Sequence, residues 1–312
     1  MSSFSLRNSA IVPATYRRYS HAARTFLSFL TQQHITIYTS SQLDMVLASY
    51  IEYLYHNQYS LSFATYVFHG LLFFCPQYKD HVRITHSQLT GWKRRCPSVS
   101  KPPLTPELVL LISAVMLRSG YIDCAVATVV AFDCYLRISE FTRLTVHDVH
   151  SFRDRTALRL AVTKTGTNQS VIVRDSHTLS VLLSYKAHRS TVVGVLGSLF
   201  GLSADRYRRV FHRVCSVLQL SSVHFTPHSL RHGAATRDYL EGVLSIDDIL
   251  FRGRWANTKS ARIYVQSSRA LLIQMDIPSY AVQLAHTLRG FTLTDVFAPY
   301  VAGMYTPSHE YS

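Results

Sequence analysis

A break at residues 97–103 constrains this chain more than any other feature. Pro97-Ser98-Val99-Ser100-Lys101-Pro102-Pro103 cannot continue a helix, because proline fixes φ and lacks the amide donor, so the chain must organise separately on either side. Before the break the pattern is helical throughout. Pro13 to Gln33 sets Tyr16, Tyr19, Ala23, Phe26, Leu27 and Leu30 at three- and four-residue steps, with Arg17, Arg18 and Arg24 between them, and Pro13 suits a first helical turn. Ser41–His56 and Ser60–Phe74 predict two more helices, and Gly91-Trp92-Lys93-Arg94-Arg95 closes a fourth segment. The expected organisation is a helical domain over 1–96, a linker over 97–105 and a second domain over 106–312.

The second domain reads as mainly α with a small sheet. Thr105-Pro106-Glu107 predicts an N-cap with proline at the first helical position, leading into Leu108–Arg118. An apolar helix over Tyr121–Leu136 follows. Residues 157–164 and the β-branched Val171-Ile172-Val173 predict strands, and Thr165-Gly166-Thr167-Asn168-Gln169 predicts the turn of a hairpin with Lys164 at its mouth. Helical patterns resume over Ser176–His188, Ala204–Leu220, His228–Leu240 and around Thr258–Gln283.

Hydrophobic residues make up 47% of the 312 and charged ones 16%, which supplies a core and excludes a disordered chain. The net charge is +14, and both sides of the break share it: nine Lys and Arg stand against three Asp and Glu in residues 1–100, and 23 against 15 afterwards. Such a balance points to a polyanion, nucleic acid first, with an anionic membrane surface as the competing partner. Five cysteines without a Cys-x-x-Cys argue against a disulfide framework and a thiolate metal site. The N-terminus shows no secretory pattern and no stretch suits a membrane span, so an intracellular protein is expected. Nucleotide-binding glycine loops, His-Glu-x-x-His and Gly-x-Ser-x-Gly are all missing.

Several residues could grip a phosphodiester. In Tyr135-Leu136-Arg137-Ile138-Ser139-Glu140, Arg137 is expected at the end of an apolar helix beside a carboxylate that orients it, although such pairs also occur on ordinary helix surfaces. In Pro227-His228-Ser229-Leu230-Arg231-His232-Gly233, a helix starting at Pro227 puts His228 and Arg231 three residues apart near an N-terminus that favours anions. Gly253-Arg254-Trp255 is followed nine residues after the tryptophan by Tyr264.

In order and spacing, Arg137, Lys164, His228-x-x-Arg231, Trp255 and Tyr264 resemble the tyrosine recombinases, the phage integrase type of DNA breaking and rejoining enzyme. The resemblance implies a helical core-binding domain joined to a mixed α/β catalytic domain, and no metal or other cofactor. It implies that Arg137 and Arg231 clamp the phosphate, His228 adds a third contact, and Lys164 protonates the leaving 5′-oxygen. Trp255, standing where the family more often has His, donates a hydrogen bond but carries no proton. Tyr264 is the implied nucleophile, forming a covalent 3′-phosphotyrosyl linkage, with Tyr239 and Tyr280 as neighbouring alternatives. Glu140 is implied to orient Arg137 rather than act as a base.

Double-stranded DNA and a homotetramer on two sites are the implied partners. Arg17, Arg18, Lys93, Arg94 and Arg95 are candidate contacts to the DNA backbone, or else solvated faces. Competing functions are a type IB topoisomerase, a DNA-binding relic without catalysis, and a membrane-surface protein. The C-terminal tail, with Tyr300 and Tyr305, is a candidate for docking on a neighbouring protomer. No further DNA-binding domain is expected ahead of the helical unit.

Overall fold

The computed structural model describes residues 10–97, 101–153, 155–163, 166–255, 265, 277–288 and 292–302. The chain divides into two compact units, Met1–Val99 and Ser100–Ser312. The first contains α1 (Pro13–Gln32), α2 (Ser40–His56), α3 (Leu61–Phe74) and α4 (Arg83–Arg95). Their inward faces bury Phe26, Leu47, Tyr50, Ile51, Leu54, Val67, Phe68, Leu89 and Trp92.

Local chemistry sets the helix starts. Thr39 and Gln42 cap α2 reciprocally, and the Ser60 hydroxyl accepts from the Phe63 amide at the head of α3. Helix α4 has no cap of its own. Asp44 of α2 supplies one across the fold: its buried carboxylate accepts from the amides of Ile84 (2.9 Å) and Thr85 (3.0 Å) and from the Thr85 hydroxyl (2.7 Å). Asp44→Ala leaves these donors buried without their acceptor. The expected loss is about 2 kcal/mol, seen as roughly 30-fold faster hydrogen exchange in the α4 amides. Unchanged exchange would show that α4 holds its start without Asp44.

The second unit is also mostly helical, with one small sheet among the described residues. Its order is α5 (Pro106–Arg118), α6 (Ile122–Asp133), the single turn α7 (Ile138–Phe141), β1 (Val149–Phe152), β2 (Arg155–Thr163), β3 (Gly166–Val173), α8 (Ser176–Val193), α9 (Ala204–Val217), α10 (Pro227–Leu240), α11 (Ile246–Gly253), α12 (Ser279–Thr287) and α13 (Leu293–Ala302). Helix α6 is the central element, buried on all sides from Cys124 to Asp133. It packs against α5, α8, α9 and α10. Two tyrosines bring their hydroxyls to it: Tyr207 meets Thr128 at 2.7 Å, and Tyr185 donates to Asp123.

Three elements differ from their sequence patterns. Helix α6 ends at Asp133 rather than Leu136, because Tyr135 turns left-handed (φ +52°) and takes the chain out of the helix. Arg137 therefore does not end α6; it stands at the N-cap of α7. The antiparallel hairpin forms, but Thr163 pairs with Gly166 and Leu160 with Gln169, so the polar stretch expected as a turn continues the ladder as β3. Ladder bonds use the backbone, and polar side chains do not prevent them. Strand β1 extends the sheet through Val149↔Leu158 to Phe152↔Arg155. Its four residues are too few to show an alternation. Among the described residues, no helix is long and apolar enough to cross a membrane.

Candidate active site

The site begins where α6 stops. The ring of Tyr135 is buried and its hydroxyl donates to Asp238 on α10 at 2.7 Å. The left-handed backbone at this residue leaves its carbonyl facing two arginines: Arg231 Nη1 donates to it at 2.6 Å and Arg254 Nη2 at 3.1 Å. Burial first, and then the Asp238 carboxylate, push the Tyr135 phenol well above its ordinary pKa. It remains a neutral donor, which removes it as a nucleophile.

Two residues further on, Arg137 is fixed by Glu140. The carboxylate reaches back over α7, accepting from the Arg137 amide at Oε2 (2.8 Å) and from Arg137 Nη1 at Oε1 (2.6 Å). Oε2 also accepts from Arg254 Nη2 at 2.8 Å. Burial works to raise the Glu140 pKa, but the Arg254 charge and the bonds from Arg137 outweigh it and hold the group below the usual carboxylate range. It is an anion at neutral pH and a poor base. The Arg137 side chain remains 15% exposed, and its other guanidinium nitrogens bond no described residue. That free edge of the fork can take an anion bidentately.

Helix α10 delivers the next pair. Pro227 sits at its first position, and the Ser229 hydroxyl accepts from the Thr226 amide at 3.1 Å. Gly233 permits a close approach to the linker side: a Cβ there would lie 1.9 Å from the Leu104 carbonyl oxygen. His228 is exposed at the first turn, its ring edge-on to His232 at 5.0 Å. Arg231 differs from it in exposure. It is fully buried, donates to the carbonyls of Tyr135 and Gly253, and lies over the Trp255 ring at 4.5 Å.

Helix α11, capped by Ser245, brings up the third segment. It ends at Gly253 and is capped by Arg254, itself left-handed (φ +54°), after which the Trp255 amide bonds back to the Leu250 carbonyl at 3.1 Å. Gly253 makes the fold-back possible, since a Cβ there would meet the Trp255 ring at 2.0 Å. Arg252 staples this segment to the sheet and to α6, donating to the carbonyls of Ile172 (2.9 Å) and Asp133 (2.6 Å). Asp133 also accepts from the Arg174 amide at 3.0 Å.

Arg137, Glu140, Arg231 and Trp255 are thus drawn into one cluster. Lys164 and Tyr264 lie outside the described residues. Tyr239 and Tyr280 are exposed on α10 and α12. In the other unit, Arg17 and Arg18 are exposed on α1, where Arg18 donates to the Tyr66 hydroxyl at 3.0 Å. Lys93, Arg94 and Arg95 are exposed at the end of α4. Residues that sequence reasoning passed over include Tyr135, Asp133, Asp238, Arg252 and Arg254. A legible signal existed for the last two: arginines flanking Gly253 at a helix C-terminus, where cations face unsatisfied carbonyls.

The phage integrase family profile matches residues 104–270, more than half of the chain, and the chain belongs to this family of tyrosine-type DNA recombinases. Among solved structures it is similar to XerH site-specific recombinase in a post-cleavage complex with palindromic difH substrate, at 14% identity over 83% of this chain and 78% of that one (TM-score 0.59). It is similar to a lambda integrase dimer bound to a COC′ core site, at 15% identity over 82% and 90% (TM-score 0.57). It is similar also to the Tn1549 transposon integrase in complex with transposon right end DNA, at 14% identity over 84% and 99% (TM-score 0.53). At these identities the likeness is one of fold. Curated protein sequences give no match.

Proposed function

We propose that this chain cuts and rejoins duplex DNA at specific sites through a covalent 3′-phosphotyrosyl intermediate. The observation that carries the reading is Arg137: Glu140 holds one edge of its guanidinium and leaves the rest open, within the same buried cluster as Arg231 and Trp255. The Tyr264 oxygen attacks phosphorus as its phenolic proton passes to His228, the bond from phosphorus to the 5′-oxygen breaks, and Lys164 supplies the proton to that oxygen. Arg137 and His228 meet the non-bridging oxygens, on which charge grows in the transition state. Arg231, stacked on the Trp255 ring, adds positive charge to the same cluster. Its guanidinium also donates to the carbonyls of Tyr135 and Gly253.

The energy of the broken bond is kept in the phosphotyrosine, so rejoining by a second 5′-hydroxyl needs neither ATP nor a metal. Exchange between two sites calls for a homotetramer, and the reaction places the chain with DNA inside cells. The test is to incubate the protein with a pool of nicked duplexes, digest the DNA and map every tyrosine peptide. A nucleotide remnant on Tyr264 is expected. A remnant on another tyrosine, or on none, overturns the assignment.

The helical unit serves in this reading as a clamp on the DNA backbone. Neutralising Lys93, Arg94 and Arg95 together is expected to weaken binding on all sequences alike. The slope of log affinity against log salt should flatten by about 0.9 for each phosphate that the variant no longer neutralises. An unchanged slope would return these residues to an ordinary solvated face.

A further inference from the structure

Arg254 occupies a position that its backbone does not favour. A residue at φ +54° is most easily glycine, yet here a long side chain is carried there and buried. Among the described residues its two terminal nitrogens reach three acceptors on three segments. Nη2 donates to Glu140 Oε2 at 2.8 Å and to the Tyr135 carbonyl at 3.1 Å, and Nη1 donates to the Arg252 carbonyl at 2.9 Å. Glu140 is therefore shared: one guanidinium holds Oε2 from α11's end, and the other, Arg137, holds Oε1 from α7's start. Without Arg254 the carboxylate would be held, among the described residues, only by Arg137, through its amide and its side chain. Gripped from behind as well, it presents Oε1 at a fixed point.

We propose that Arg254 is a positioning residue for strand cleavage: by anchoring Glu140 and the Tyr135 carbonyl, it fixes the guanidinium of Arg137 in the orientation that receives the scissile phosphate. This rests on the recombinase reading above and adds to it a residue that does not itself touch DNA. The action runs through Glu140. Burial first depresses the Arg254 pKa and Glu140 restores part of it; the group stays a cation, so what it contributes is fixed charge and geometry.

The test uses a nicked duplex that traps the covalent adduct, with duplex affinity and single-turnover cleavage measured for the full chain. Arg254→Gly suits the backbone and removes the fork. It is expected to bind duplex as the wild type does and to cleave about 10²-fold more slowly, the scale of a misplaced reacting group. Guanidinium chloride at millimolar concentration should restore part of the rate in this variant, and equal sodium chloride should not. Arg254→Lys, which keeps the charge but cannot span three acceptors, should fall between the two. In a Glu140→Gln background, Arg254→Gly should add little further loss, because the shared carboxylate is already gone.

Wild-type cleavage by Arg254→Gly, or an equal loss with and without Glu140, overturns the inference while leaving the recombinase reading intact. Failure of the wild type itself to form an adduct on any duplex overturns both.

Discussion

Tyr264→Phe is expected to abolish covalent attachment to DNA while leaving duplex affinity nearly unchanged. The change removes one oxygen and keeps the ring, so packing is preserved and the only atom removed is the proposed nucleophile. Loss of a nucleophile costs the whole covalent route, and a fall of at least about 10⁴-fold in adduct formation is the expected scale. The buried tyrosines of the second unit offer no substitute. Tyr135, Tyr185 and Tyr207 are all pushed upward, chiefly by burial, and none is a ready phenolate. The measurement is a denaturing gel of protein on labelled nicked duplex, beside a binding isotherm for the same variant. A variant that still forms the adduct would move the nucleophile to another tyrosine, Tyr239 or Tyr280 first.

Arg137→Lys should fail almost as badly as Arg137→Ala. The guanidinium is a planar fork: Nη1 is held by Glu140 at 2.6 Å, and the remaining edge is left for two phosphate oxygens. An ammonium is a single point. It can stay with the buried carboxylate or go to the phosphate, and the preorganisation is lost either way. Removing one preorganised donor to a developing oxyanion costs about 10²–10³-fold, and the lysine variant is expected in that range. Its charge is retained, so the salt dependence of binding should match that of the wild type. Single-turnover cleavage of the nicked duplex decides the matter. A lysine variant within about tenfold of the wild type would mean that charge alone suffices at this position.

What the sequence shows and what it hides follow from the range of the forces involved. The helices of both units are written in short-range periodicity and capping, so Pro13, Thr105-Pro106 and Pro227 mark starts that are found where expected. The hairpin is legible because β-branched residues cluster at Val171-Ile172-Val173. The end of α6 is not legible: a run of apolar residues through Leu136 continues the pattern, and only the tertiary pull of Asp238, Arg231 and Arg254 on Tyr135 makes the left-handed turn worthwhile. For the same reason Arg137 is expected on a helix end and is found at a cap. Helix α11 is eight residues long and ends in glycine, too brief for a periodicity to stand out. The burial of Arg231 is invisible as well, since its two carbonyl partners lie 96 and 22 residues away.

The two left-handed side chains at the site, Tyr135 and Arg254, bear on how this chain can change over time. Each holds a backbone conformation that costs a non-glycine residue about 1–2 kcal/mol, in a domain whose whole margin is about 5–15 kcal/mol. The backbone alone favours glycine at both positions, and the ring and the fork resist it. Selection for durability and selection for turnover therefore pull against each other at these two codons. A lineage released from the need to act on DNA would record the release there early.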